Sequence, residues 1–285
     1  MKKAIYIIAL CSALFALSCS KGDGGKKGGN QPVPNLIVLD DEEFSFTTGH
    51  LNAVLAEHPD PDSVRLQGGI NGDDIAAIKQ GCKNMVKLDI SKLKFVKGGS
   101  WETGIDYHRT ETVSKEKSIP YAMLYGHNKL EKLILPDVSE IDNFAFGAIP
   151  TLKEVVFGKV TSINDYAFIN SGIEELKLPE GLQYINVESF YNSRSLKTVF
   201  LPSTLVSIYT DSFYPLSGTS SIQAIYISGT RATITVNPGT ISDSKGRMFA
   251  SVTSGFKIYA PSSIKTAYMQ APYWNVYSDY FWDRP

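Results

Sequence analysis

The sequence predicts an α+β repeat solenoid with a parallel sheet of one short strand per unit of about 22 residues, capped at both ends. Three observations carry this. Ile119, Ile141, Ile163, Ile185 and Ile208 recur at steps of 22, 22, 22 and 23. Five residues after each stands Leu124, Phe146, Phe168, Phe190 or Phe213. A spaced apolar run follows: Leu130/Leu133/Leu135, Leu152/Val155/Phe157, Ile173/Leu176/Leu178, Leu196/Val199/Leu201 and Ile222/Ile225/Ile227. One such unit has a single apolar strand face and cannot hide it alone, so copies stack and share a core.

A period in the low twenties with an L-x-x-L-x-L-like run is the mark of a leucine-rich repeat. Side chains alternate in extended chain, which turns Leu133 and Leu135, Val155 and Phe157, Leu176 and Leu178, and Val199 and Leu201 inward. Before the phenylalanines stand Ala145, Ala167, Ser189 and Ser212, small enough for the chain to pass close to the next unit. The phrases Ile163-Asn-Asp-Tyr-Ala-Phe168, Ile173-Glu-Glu-Leu-Lys-Leu-Pro179 and Leu196-Lys-Thr-Val-Phe-Leu-Pro202 resemble the BspA-type leucine-rich repeat family of bacterial cell-surface (lipo)proteins. The resemblance is strong from Ile119 to Ile227. It implies the solenoid fold and a non-catalytic, adhesin-like surface role.

From the amino end, residues 1–19 read as a lipoprotein signal peptide. Lys2 and Lys3 precede an apolar run from Ala4 to Leu17, too short to span a bilayer comfortably. The run ends at Ala16-Leu-Ser-Cys19, which looks like a lipobox with Cys19 as the acylated residue; simple cleavage and secretion is the other reading. A lipidated Cys19 leaves Cys82 as the mature chain's only cysteine, so no internal disulfide forms. Residues 20–35 hold five glycines and form a flexible tether. Removing residues 1–18 takes two lysines and no acids, moving the formal charge from −1 to −3. Such a chain is a poor nucleic-acid binder.

Residues 36–118 are expected to form an amino-terminal cap and irregular repeats. The segment His50–His58 has helical spacing and stops at Pro59, which suits a helix over the open end of the stack. Val64–Leu66 and Met85–Ile90 read as the first strands, with a helix from Asp73 to Gly81 between them. Lys97 to Ser118 is a long polar insertion, and long loops often carry binding. Trp101 and Tyr107 in it are candidate contacts, or simply pack the loop on the body. Residues 119–227 are the regular repeats. Residues 228–285 give a last strand at Gly255–Pro261, a helix capped by Ser262 or Ser263, and an aromatic end. The end seals the stack or, alternatively, offers a sugar-stacking platform.

Enzyme signatures are absent: no paired histidine motif, nucleophile elbow, Cys-x-x-Cys or phosphate loop stands in the chain. No catalytic residue, cofactor or metal site is expected. The outward sides of the strands form columns. Glu131, Lys153, Glu174 and Lys197 alternate in sign and read as a pairing ladder that fixes register. Ile134, Val156, Lys177, Phe200 and Tyr226 form an apolar strip, which is either a binding face or ordinary strand preference under a covering segment. The expected function is non-catalytic surface binding to a protein or glycan on a host or neighbouring cell, with the amino-terminal lipid in the outer membrane or cell surface. The alternatives are an accessory glycan-binding lipoprotein of an outer-membrane uptake system and a hydrolase with an unrecognised carboxylate pair.

Overall fold

The computed structural model describes residues 35–105, 109–215, 220–229, 234–238, 248–249 and 252–284. The expected signal peptide, Cys19, the tether up to Pro34, and Tyr107 lie outside them.

Each apolar run makes a short strand. Lys132–Ile134 pairs in parallel with Glu154–Val156, setting Val155 opposite Leu133. Glu175–Lys177, Thr198–Leu201, Ala224–Ile227 and Lys257–Ala260 pair likewise, with Leu176, Val199, Ile225 and Ile258 in line. The isoleucine column builds a second parallel sheet: Ser118–Ile119, Glu140–Ile141, Ser162–Ile163, Tyr184–Ile185, Ser207–Tyr209 and Thr235–Asn237. The expected parallel sheet of one short strand per unit is thus present, and a second parallel sheet, again of one strand per unit, accompanies it. The second strands are two or three residues long, too short to show alternation in sequence.

A third side of each unit has no regular strand, yet it is hydrogen-bonded to its neighbour. Leu124, Phe146, Phe168 and Phe190 donate their backbone N–H groups to the carbonyls of Ala145, Ala167, Ser189 and Ser212, at 2.8–2.9 Å. Those small acceptors are fully buried, as the close approach demands. Phe146, Phe168, Phe190 and Phe213 stack inside with successive ring centroids 5.6, 5.3 and 5.3 Å apart. Phe144 and Tyr166, at matching places, hold φ of 59° and 61°. Left-handed backbone costs a non-glycine residue about 1–3 kcal/mol. The N–H bonds from Phe144 to Asp165 O and from Tyr166 to Val187 O hold it in place.

The main sheet breaks once within the repeats: Glu154–Val156 and Glu175–Lys177 are neighbours but do not pair. The unit design changes at this point. Phe146 to Leu152 and Phe190 to Leu196 are both six residues, but Phe168 to Ile173 is five. The later link from Leu176 to Ile185 is nine, against eight from Val155 to Ile163. Gly172 stands in the shortened turn, where a Cβ would lie 2.1 Å from the Pro150 carbonyl oxygen. Val155 and Phe157 are left only half-buried, while Leu133 and Leu176 are closed off.

At the amino end the expected helix forms over Leu51–Glu57 and buries Leu51 and Leu55. The edge of the main sheet, however, is closed by an antiparallel hairpin, Asn35–Leu39 with Glu42–Phe46, paired onto Ser63–Ile70. That hairpin takes the capping place assigned to the helix. Ser63–Ile70 and Lys87–Phe95 are the first parallel strands, joined by a helix at Gly72–Gly81. Asn71 caps this helix, and Asp74 accepts N–H bonds from Asn71, Gly49 and Leu51, tying the two helices together. The polar insertion is a second hairpin, Gly98–Glu102 with Thr110–Val113. Cys82 is buried and unpaired; burial first, then the charges of Asp60 and Asp40, push its thiol up to about 12, so it is a packing residue.

At the carboxyl end the strand Lys257–Ala260 leads into the helix Ser262–Gln270. The serine cap is corrected: Pro261 holds the N-cap place, and Ser262 Oγ donates to Asp283 instead. Tyr268, Trp274 and Tyr277 are buried, and Trp274 Nε1 donates to Ile234 O at 3.1 Å, so this cluster seals the stack. A last strand, Phe281–Asp283, adds in parallel beside Lys257–Ala260.

Phe168 packs between two ring neighbours with no exposed surface. Phe168→Ala should cost about 3–5 kcal/mol in chemical denaturation, the range for emptying a packed aromatic site. A loss below about 1 kcal/mol would contradict the stacking described here.

Candidate binding face

Strand pairing fixes which side chains share the outer surface. Asp89, Ile134 and Val156 stand in one row, which the sheet break separates from Lys177, Phe200, Tyr226, Tyr259 and Trp282. The five strip residues expected from sequence therefore do lie on one side, and the row gains Tyr259 and Trp282. Those two escaped the sequence reading because the 22-residue step lapses: Tyr226 to Tyr259 is 33 residues.

The rings are ordered. Phe200 and Tyr226 stack at 4.7 Å with planes 10° apart, and Tyr226 and Tyr259 at 4.8 Å and 13°. This is the distance between neighbouring strands, so the backbone itself sets the stacking. Lys177 Nζ lies 5.7 Å from the Phe200 ring centre, and Lys257 Nζ lies 4.5 Å from that of Trp282. Cations placed over ring faces are attracted by the ring quadrupole. Val156 is 43% exposed and Trp282 51%, while Ile134, Phe200, Tyr226 and Tyr259 are half-buried by their neighbours.

At the sheet break, between the Val156 and Lys177 strands, a cleft of about 530 Å³ opens. Val155, Val156, Phe157 and Leu178 give it an apolar wall, and Lys153 and Glu175 stand at its polar edge. The spacing change around Gly172 was its sequence signal.

The charges beside this row are matched. Glu131 pairs with Lys153 at 2.9 Å, Lys132 with Glu154 at 2.7 Å, and Glu174 with Lys197 at 2.6 Å. Lys177 reaches Glu175 on its own strand. The expected pairing ladder thus forms, except that no ion pair bridges Lys153 and Glu174 across the break. The hydrogen bond from Lys197, reinforced by its charge, holds the Glu174 carboxyl below its ordinary range. Toward the carboxyl end the face is nearly uncharged, with Thr198, Ala224 and Lys257 beside the rings.

Trp101 is 2% exposed and packs into the core, so it is withdrawn as a contact residue and the packing reading stands.

Residues 117–237 match the BspA type leucine rich repeat region in six copies. Over these residues the repeats are similar to the BspA type. None of the curated proteins compared matches the chain significantly. Among solved structures, the pneumococcal vaccine antigen PcpA is 16% identical with a TM-score of 0.43, over 70% of this chain and 53% of that one. The chain thus spans about half the length of that antigen. A leucine-rich repeat protein of T. pallidum is 16% identical with a TM-score of 0.34, covering 59% of this chain and 79% of its own. A leucine-rich cell surface protein of Faecalibacterium prausnitzii A2-165 is 11% identical with a TM-score of 0.32, covering 69% and 71%.

The charge ladder of the main sheet is directly testable. Lys197→Met should let the Glu174 carboxyl titrate back up to an ordinary glutamate value in side-chain NMR. Because its folded value is depressed, the pairing is present at neutral pH and is lost as pH falls through that value. An unchanged Glu174 titration would remove the pair from the account.

Proposed function

We propose that this is a non-catalytic, adhesin-like surface protein that presents the outer face of its main sheet to another protein. The observation that carries this reading is the ring row from Phe200 to Trp282, running from the cleft beside Val156. An exposed apolar strip flanked by satisfied charges fits a protein interface, where aromatic anchors dominate and unmatched charge is costly.

The stacking geometry also favours protein over glycan. A sugar that stacks on an aromatic ring needs an open ring face. Phe200, Tyr226 and Tyr259 give their faces to one another and present mainly their edges. Trp282 is the exception, half-exposed with Lys257 over it, and it supports the glycan-binding alternative at that end alone.

In this reading Cys19 carries the lipid, and the glycine-rich tether lifts the solenoid from the membrane by roughly 20–25 Å root-mean-square. The protein then stands at the bacterial outer membrane or cell surface. Metabolic palmitate labelling should mark the wild-type protein and leave Cys19→Ala unlabelled; equal labelling would place the anchor elsewhere.

Binding to immobilised matrix proteins, beside a glycan array, tests the partner class. The Ile134→Ala, Phe200→Ala, Tyr226→Ala triple variant should lose at least tenfold in affinity for the protein partner. Val156→Glu with Trp282→Ala, which changes exposed positions only, should weaken it without lowering the melting temperature. Unchanged binding by both variants would make the row structural.

A further inference from the structure

A second recess stands apart from the ring row. The helix Gly72–Gly81 brings Lys79 near its end, and Lys83 follows just past its Cys82 cap. Together with the turn from Leu124 to Asn128 they line an open recess of about 250 Å³. None of the residues lining it is acidic.

Lys79 is the unusual member. Its Nζ donates to Thr103 O at 3.0 Å and to Ala122 O at 3.5 Å. An ammonium has three protons, so two carbonyls leave one donor over. Among the described residues no carboxylate pairs with it. Burial without a counter-charge lowers it to about 8. A partly buried cation of this kind is costly unless something negative comes to meet it.

The other wall is fixed. His127 Nε2 lies 2.9 Å from Cys82 O, and its Nδ1 accepts the N–H groups of Lys129 and Leu130. These bonds hold the ring in place, so His127 shapes the wall. Lys83 is exposed at the rim, free to swing over an occupant. The recess is about the size of a small solute.

The geometry points to an oxyanion site, in which Lys79 holds a phosphate or carboxylate group within the recess and Lys83 closes over it. Such a group meets the spare Lys79 proton and supplies the missing counter-charge. This site is independent of the ring row and of the partner proposed for it.

Calorimetry on the full chain in detergent, with inorganic phosphate, acetate, glucuronate and neutral glucose, tests it. Saturable binding of at least one anion and none of glucose is expected. Phosphate above acetate would identify a phosphate source, and glucuronate above acetate an acidic sugar. Lys79→Gln should weaken anion binding at least tenfold and Lys83→Gln several-fold, while Lys197→Gln leaves it unchanged. If Lys79→Gln does not fold, the Lys83→Gln loss against the Lys197→Gln control carries the test. Absence of anion binding, equal binding of glucose, or unchanged binding in both recess variants overturns the proposal.

Discussion

Backbone hydrogen bonding between consecutive repeat units, on three sides wherever the main sheet is unbroken, is what the rest depends on. The main strands pair Leu133 with Val155 and, past the sheet break, Leu176 with Val199; the short strands pair through the isoleucines, and the third side through the N–H groups of the phenylalanines. Spacing between units is therefore set by backbone pairing, close to 4.8 Å. Side chains must fit that spacing, which explains the buried alanines and serines and the parallel phenylalanine rings. It also explains how Phe144 and Tyr166 hold backbone angles that isolated residues avoid. The ring row on the outer face follows from the same spacing, because stacked aromatics and paired strands want nearly the same separation.

Much of this was legible in the chain. The isoleucine and phenylalanine periods fixed the core, and the alternation around Leu133 and Leu176 fixed which residues face out. The misses have physical causes. The amino-terminal hairpin turns on Asp40 and Asp41, both at positive φ, and Asp-Asp without glycine is a weak turn signal. Tyr259 and Trp282 joined the outer row through strands whose spacing departs from the repeat. The sheet break was written in the missing residue before Ile173, which a count from the isoleucine column alone passes over. Trp101 looked available because polar insertions are usually loops, yet this one folded as a hairpin.

The candidate face and the Lys79 recess differ in electrostatics. On the face, Lys132, Lys153, Lys177 and Lys197 each have a glutamate within reach and Lys257 has a ring beneath it, so what the face offers is mainly shape and apolar area. In the recess, among the described residues, the Lys79 cation has carbonyl partners only. One fold thus offers two different chemistries, the first built by the repeats and the second where the irregular amino-terminal part meets the first repeat turn.

The amino-terminal hairpin also settles how the assembly stops. A stack of like units has open rims to which another molecule's rim can add, and repeated addition makes a fibre. Here the outermost strand, Glu42–Phe46, runs against its neighbour and carries exposed Glu42, Glu43 and Ser45. Another chain arriving in the parallel sense would meet reversed polarity and acidic side chains instead of a matching greasy edge. That rim therefore offers no matching apolar edge on which a parallel copy could add.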